Sequence, residues 1–234
     1  MKKVIKKFYI EGKVRVGNTM SKFKLVLFDM DGTLLKDRGI FVIAEKKGFL
    51  NELIRHIKDS NMEYYERSIE IAKLSKGYSR EEFLEIFREV PFNNNVEFVI
   101  RELNKRGFKT AIATDSYQFL ADDVKNRLGI DYAFANKLKS DGDIITGELE
   151  IHNKNLTKDF NGENIYSICK SCVLEQLCKD HGITVEEAIA VGDGIVDIGM
   201  IKKAGLGVAI NASDKVNVHA DVVTDDMGIL LDYI

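Results

Sequence analysis

Two carboxylates stand two residues apart at the end of an apolar run. Leu25-Val26-Leu27-Phe28 leads into Asp29-Met30-Asp31-Gly32-Thr33. A hydrophobic strand thus delivers Asp29 and Asp31 to its carboxyl end, where open α/β sheets bind their ligands. Such a pair can hold one Mg²⁺, which takes oxygen ligands and a phosphate partner. It can also divide labour, one carboxylate as nucleophile and the other as general acid. The plainer reading is an Asp-Gly turn after a strand, a common arrangement.

Four more positions carry the same theme. Thr114 ends a second predicted strand, Lys170 opens a predicted helix, and Asp193 and Asp197 lie at and just beyond the end of a later strand. Each has an ordinary reading. Thr114 could cap a helix, Lys170 could be solvated, and Gly192-Asp193-Gly194 could be a tight loop. Together they form a set. Asp29, Asp31 and Asp193 make an anionic cradle for Mg²⁺, while Thr114 and Lys170 offer a hydroxyl and a cation to phosphate oxygens. Phosphoryl transfer needs that combination of positioning and charge neutralisation.

Alternating elements must position these groups. Residues 95–106 place Val96, Val99, Ile100 and Leu103 on one helical face, stopped by Gly107. A strand at 109–113 follows, then a helix carrying Leu120, Val124 and Leu128 and closed by Gly129. A strand at 132–135, a hairpin at 138–151 turning at Asp141-Gly142, and a helix over 166–181 come next. Thr184-Val185-Glu186-Glu187 resembles a capping box, ahead of a strand at 188–191 and a last strand at 207–210. Strands separated by helices imply a parallel sheet with right-handed crossovers. Between Leu35 and Pro91 no strand is evident. Three helices are expected there, around Phe49–Ile57, around Tyr65–Leu74, and from a capping box at Ser79-Arg80-Glu81-Glu82. An insert at that point reads as a lid that excludes water and selects substrate, or else as a helical layer of the main domain.

Composition bounds the alternatives. The chain has 234 residues, 45% hydrophobic and 30% charged, as in soluble globular proteins. A net charge of -3 gives no support to nucleic-acid binding. No apolar run reaches the ~18 residues of a membrane helix, and the start, Met1-Lys2-Lys3-Val4-Ile5-Lys6-Lys7, lacks the apolar core of a signal peptide. The expected compartment is the cytoplasm, and the expected state a monomer or homodimer. Residues 1–20 stand apart, either as a hairpin about Glu11-Gly12 or as an extension upstream of a second start at Met20. Cys169, Cys172, Cys178 and His181 have a spacing superficially like a zinc site. On one helix, however, Cys169 and Cys178 fall on opposite sides, so the thiols are expected to be free and at least half-buried.

The four groups of residues, in this order, resemble the haloacid dehalogenase superfamily: Asp29-Met30-Asp31-Gly32-Thr33, Ile112-Ala113-Thr114, Lys170, and Gly192-Asp193-Gly194-Ile195-Val196-Asp197. The resemblance spans residues 24–234 and is strongest to the phosphoserine phosphatase branch, through Gly107-Phe108-Lys109, residues 128–136 and Lys203-Ala204-Gly205-Leu206-Gly207. It implies an α/β fold, a Rossmann-like doubly wound parallel sheet over residues 21–35 and 92–234, with a small helical cap inserted over residues 36–91. It implies a phosphomonoesterase of small phosphorylated metabolites. Asp29 would be the nucleophile, Asp31 the general acid and base, and Thr114, Asp115 and Lys170 the phosphate-binding positions. Asp29, the carbonyl of Asp31, and Asp193 would hold Mg²⁺, with Asp197 orienting Lys170 or a metal-bound water. A phosphomutase or phosphotransferase would use the same chemistry.

The departures fall where substrate is chosen. The branch carries a glutamate for the serine ammonium seven residues after the second aspartate, where this chain has Arg38, preceded by Asp37. The arginine for the serine carboxylate falls near Ala72, with Arg67 and Lys73 close by. The branch's Gly-Gly after the second motif is Asp115-Ser116 here, and its asparagine before the last aspartate is Val196. A reversed charge at a selecting position argues for a different leaving group. Arg38 and Arg67 are the candidate selectors.

Overall fold

A computed structural model describes residues 21–59 and 61–234. The hairpin expected in residues 1–20 lies outside the described residues. Among them, the strands β1 (Leu25–Phe28), β2 (Lys109–Tyr117), β3 (Tyr132–Asp141), β4 (Ile144–Glu150), β5 (Ala188–Gly192), β6 (Leu206–Ile210) and β7 (Val222–Thr224) form one sheet of order β4-β3-β2-β1-β5-β6-β7. All neighbours are parallel except β3 and β4.

The apolar run of β1 follows from its central place. All four residues are buried. Val26 and Phe28 pack into one cluster with Val99, Ile100 and Leu103 of α5 (Val96–Lys105) and Leu120 and Val124 of α6 (Gln118–Leu128). Leu25 and Leu27 pack into another with Leu174 and Leu177 of α7 (Lys170–Asp180). A strand covered on both faces needs apolar side chains at every position, not alternation. From β1 the chain winds outward through β2 and β3, then returns to the other side of β1 as β5. The order therefore reverses between β1 and β5, and a crevice opens beyond their carboxyl ends.

Between β1 and α5 lie four helices: α1 (Gly39–Lys47), α2 (Leu50–Lys58), α3 (Tyr64–Lys73) and α4 (Arg80–Phe87). Three were expected from the sequence, and α1 is the addition. Its segment Ile40-Phe41-Val42-Ile43-Ala44 is apolar throughout and shows no 3.6-residue period. Its first N–H is satisfied from afar, Gly39 N donating to the Asp31 carboxylate at 2.6 Å, whereas Arg38 provides no side-chain cap. Ser79 caps α4 as its capping box suggested, accepting from Glu82 N at 3.2 Å. The insert also closes on the β3–β4 hairpin. Ile145 and Leu138 share the core with Leu53, Ala72 and Phe83, and Ile145 exchanges backbone hydrogen bonds with the 77–78 turn.

Other boundaries differ from expectation for local reasons. The strand at 132–135 and the first arm of the hairpin are one continuous strand, β3. The strand at 206–210 is not the last, because β7 pairs beside it. With three residues, none fully buried, β7 carries no periodic pattern. The cysteine helix begins at Lys170 rather than at residue 166. The preceding segment is held extended, with Asn153 N donating to Ser167 O at 2.8 Å and Asn153 Nδ2 to Tyr166 O at 2.9 Å. The expectation of three free thiols is also overturned. Cys169 and Cys172 form a disulfide and Cys178 alone is free, on the buried face of α7. The two sulfurs lie one turn apart on α7, so the odd cysteine count does not decide their state.

Candidate active site

The mouth of the sheet gathers the predicted residues at the crevice between β1 and β5. Asp29 follows β1 directly, its N–H donating to Val191 O of β5 at 2.9 Å. Lys170, on the first turn of α7, reaches between two carboxylates, Nζ lying 2.5 Å from Asp29 Oδ1 and 2.5 Å from Asp197 Oδ1. All three side chains are buried. The other oxygen of Asp197 accepts from Asp193 N at 3.0 Å and Gly194 N at 2.8 Å. Asp197 therefore has both oxygens engaged and fixes Lys170 and the 193–194 turn together. Asp193 is held in turn, Thr33 Oγ1 donating to its Oδ1 at 2.9 Å.

Glycine is required at position 32 twice over. Its φ is +85°, and a Cβ there would lie 2.5 Å from Asp193 Oδ2. The Asp-Gly-Thr turn is also stapled by a residue the sequence did not single out. Asn93 Nδ2 lies 3.0, 2.8 and 3.1 Å from the carbonyls of Gly32, Thr33 and Leu35. Asn93 stands sixty residues away in a run of three asparagines. Only the bridge pairing of Leu35 with Phe92 brings it there.

Burial and like charge govern the electrostatics. Burial raises Asp29 well above the ordinary carboxylate range, Lys170 opposes this, and Asp197 and Asp193 push it further. Asp193 is raised by burial and by Asp197, with the Thr33 hydrogen bond and Lys170 opposing. Asp31 is lifted to about 7, chiefly by burial, against the Gly39 N–H. Burial opposes the charge on Lys170, but Asp197 and Asp29 overcome it and hold the ammonium protonated.

One oxygen each from Asp29, Asp193 and Asp197 lie within 4.8 Å of one another. Lys170 and two N–H groups occupy both oxygens of Asp197, whereas Lys170 and Thr33 engage only Oδ1 of Asp29 and of Asp193, so these two carboxylates each retain Oδ2 for a cation. Crowded, desolvated carboxylates of this kind fit a hard divalent cation with oxygen ligands.

A cavity of about 120 Å³ opens over Asp29, Asp31 and Asp193. The four-helix insert contributes Arg38, Phe41, Leu53, Ile57 and Ile71 to its walls, and the end of β2 contributes Asp115. Arg38 thus lines the site as an exposed residue on its rim, and the charges of Asp115, Asp193, Asp29 and Asp31 raise it against partial desolvation. Thr114 does not end its strand as expected, since β2 continues to Tyr117; it is fully buried within β2, and its Oγ1 accepts from Ser116 N at 3.2 Å. Asp115 is anchored by its carbonyl, which accepts from Asn136 Nδ2 at 2.7 Å. Arg67 lies in an adjoining cavity rather than over the aspartates. Its Nε and Nη2 donate to Met62 O at 3.1 and 2.9 Å, its Nη1 to Ile57 O at 3.1 Å, and it covers the Tyr64 ring. It ties the carboxyl end of α2 to the turn before α3 with three of its five N–H donors.

A strand-borne aspartate pair, a lysine clamped between carboxylates and a third acidic loop, all at a sheet's switch point, define a hydrolase built for phosphoryl groups. The chain belongs to the haloacid dehalogenase-like hydrolase family, whose sequence model matches residues 23–205. Within the family it is a phosphatase of the phosphoserine phosphatase branch. It is 33% identical to a phosphoserine phosphatase of Methanocaldococcus jannaschii over 219 residues, covering 91% of this chain and 98% of that one. A phosphoserine phosphatase of Archaeoglobus fulgidus is 31% identical over 201 residues, which is 85% of this chain but only 55% of that protein. A solved phospho-aspartyl intermediate analogue of phosphoserine phosphatase superposes with a TM-score of 0.76 at 30% identity, over 91% of this chain and 99% of the other. Among the described residues no helix is long and apolar enough to cross a membrane.

Proposed function

We propose that this phosphatase hydrolyses a small phosphorylated metabolite through a phosphorylated Asp29, with Mg²⁺ as cofactor, and that residues 36–91 act as its cap. The observation that carries the reading is Lys170 held at 2.5 Å from both Asp29 and Asp197. That contact fixes one oxygen of Asp29 and leaves the other to face the cavity. Asp29 attacks phosphorus as the bond to the leaving oxygen breaks, and Asp31 gives that oxygen its proton. Asp31 then takes a proton from the water that hydrolyses the acyl phosphate. A carboxyl lifted to about 7 suits both duties near neutral pH. Thr114, the backbone at Asp115, and Lys170 hold the transferred phosphate. Asp29, the Asp31 carbonyl and Asp193 would hold Mg²⁺, which neutralises phosphate charge when bound.

Substrate choice rests on Arg38. Its cation lines the cavity where the branch carries a glutamate, which supports a leaving group bearing an anionic substituent and no ammonium. One observation favours phosphoserine instead. Asp115 lines the same cavity, so it could take the ammonium while Arg38 takes the carboxylate. Phosphate release from phosphoserine, matched against small anionic phosphates lacking an ammonium group, decides between the two. The activity itself is tested with Mg²⁺ or EDTA and with Asp29→Asn. Turnover should need the metal and be lost in the folded variant. Undiminished hydrolysis by Asp29→Asn would refute the nucleophile.

A further inference from the structure

We infer that Cys169 and Cys172 form a thiol–disulfide exchange site, whose redox state sets how firmly Lys170 is held against Asp29. The pair brackets the lysine as Cys169-Lys170-Ser171-Cys172. The disulfide spans Cα atoms 5.2 Å apart and closes the first turn of α7. Only two residues lie between the sulfurs, and one of them is Lys170. When the bond is made, the backbone under Lys170 is cross-linked on both sides. In this bonded state the turn also carries a cap, Cys172 N donating to Cys169 Sγ at 3.3 Å. Sulfur is a weak acceptor.

The site is open to exchange. Both cysteines are half-buried, unlike Cys178. Cys169 lines a shallow cleft with Lys158, Phe160, Tyr166 and Ile195, whereas Cys172 does not reach it. Cys169 stands at the amino-terminal cap of α7, at the exposed end of the pair. The co-reactant is a dithiol. One of its thiolates attacks Cys169 Sγ, forming a mixed disulfide and expelling Cys172 as a thiolate that takes up a proton. Its second thiolate then attacks the reagent's own sulfur in that mixed disulfide and releases Cys169. Two electrons pass to the protein, and the reagent leaves as a cyclic disulfide.

The activity arm of the inference rests on the phosphatase reading; the exchange arm does not. The test treats the native full-length protein with dithiothreitol or with its oxidised form. Thiols are trapped with N-ethylmaleimide and located by peptide mass, and amide hydrogen exchange is followed over α7. The expected result without denaturant is labelling of Cys169 and Cys172, but not Cys178, after dithiothreitol, and no labelling of the pair when the sample is reoxidised before trapping. Amides at the start of α7 should exchange faster in the reduced protein. A displacement of about 1 Å at a reacting centre can cost 10²-fold. We expect kcat/KM to fall about tenfold on reduction and to recover when the same sample is reoxidised. Cys169→Ser/Cys172→Ala keeps a capping oxygen and should show the reduced rate in both buffers. Cys172→Ser serves if the double variant does not fold. Labelling only after denaturation would overturn the exchange site. Equal rates and equal α7 protection in states of verified redox composition would overturn the control of Lys170. A protein without phosphatase activity in either state would refute the functional reading, while labelling and hydrogen exchange would still judge the site.

Discussion

Replacing Lys170 with methionine keeps the length of the side chain and removes its charge. The lysine is buried and bridges two carboxylates, of which Asp197 is wholly enclosed and Asp29 nearly so. Removing one partner of a buried ion pair costs about 3–5 kcal/mol, because the remaining charge is left uncompensated. For a chain of this size each kcal/mol shifts the melting temperature by about 2–4 °C, so a fall of roughly 6–20 °C is expected in metal-free protein at pH 8. The deficit should shrink toward pH 5. Asp29 already sits well above its ordinary value, and without Lys170 it rises further. A carboxyl raised by folding contributes stability that is present at low pH and lost as pH climbs through its folded value. Adding Asp197→Asn should restore part of the melting temperature by removing the stranded charge. It should not restore turnover, because losing one preorganised group of this kind costs about 10²–10³ in rate. Thermal melts at pH 5 and 8 in EDTA, paired with phosphate release in Mg²⁺, measure both effects. A Lys170→Met protein melting within 2 °C of the parent at pH 8, or turning over at the parental rate, would refute the role given to this contact.

Three further outcomes follow from neighbouring residues. Arg38→Gln should lower kcat/KM for the preferred anionic substrate at least 30-fold, for loss of about 2 kcal/mol or more of ion pairing, while an aryl phosphate changes less than about threefold; steady-state kinetics on both substrates check this, and equal losses would contradict it. Asn93→Ala should cost about 1–3 kcal/mol in chemical denaturation, since the carbonyls of Gly32, Thr33 and Leu35 lose their shared donor. Asp31, raised from 3.8 to about 7, should make metal-free protein more stable at pH 5 than at pH 8. About two units of the rise lie above pH 5, which corresponds to about 3 kcal/mol, and solvent reaching this half-buried group reduces it to about 1. Asp31→Asn should flatten the profile, and a parental profile already flat would count against the buried carboxyl.

The chemistry of this chain was legible in its residues because it depends on type and order. A fully apolar strand followed by Asp29 and Asp31 has few uses, and Thr114 on a later strand, Lys170 at a helix start and the 192–197 loop add to the theme. The sheet was legible for a similar reason, since burial on both faces forces uniform apolar strands such as β1. The sequence could not supply contacts made across long separations. α1 starts where the Asp31 carboxylate meets the Gly39 N–H, so no local cap announces it. Asn93 acquires its role only when Leu35 and Phe92 come together. Arg38 and Arg67 were both candidate selectors, and only the fold shows that Arg67 bonds backbone carbonyls while Arg38 lines the cavity over the aspartates. The cysteines show the limit most plainly. Spacing alone left Cys169 and Cys172 on a continuous helix as free thiols, whereas Asn153 bonds the carbonyls of Tyr166 and Ser167 outside the helix, and the two sulfurs are joined where α7 begins. Residue type and periodicity determined what this protein could do, and long-range packing decided which residues are in place to do it.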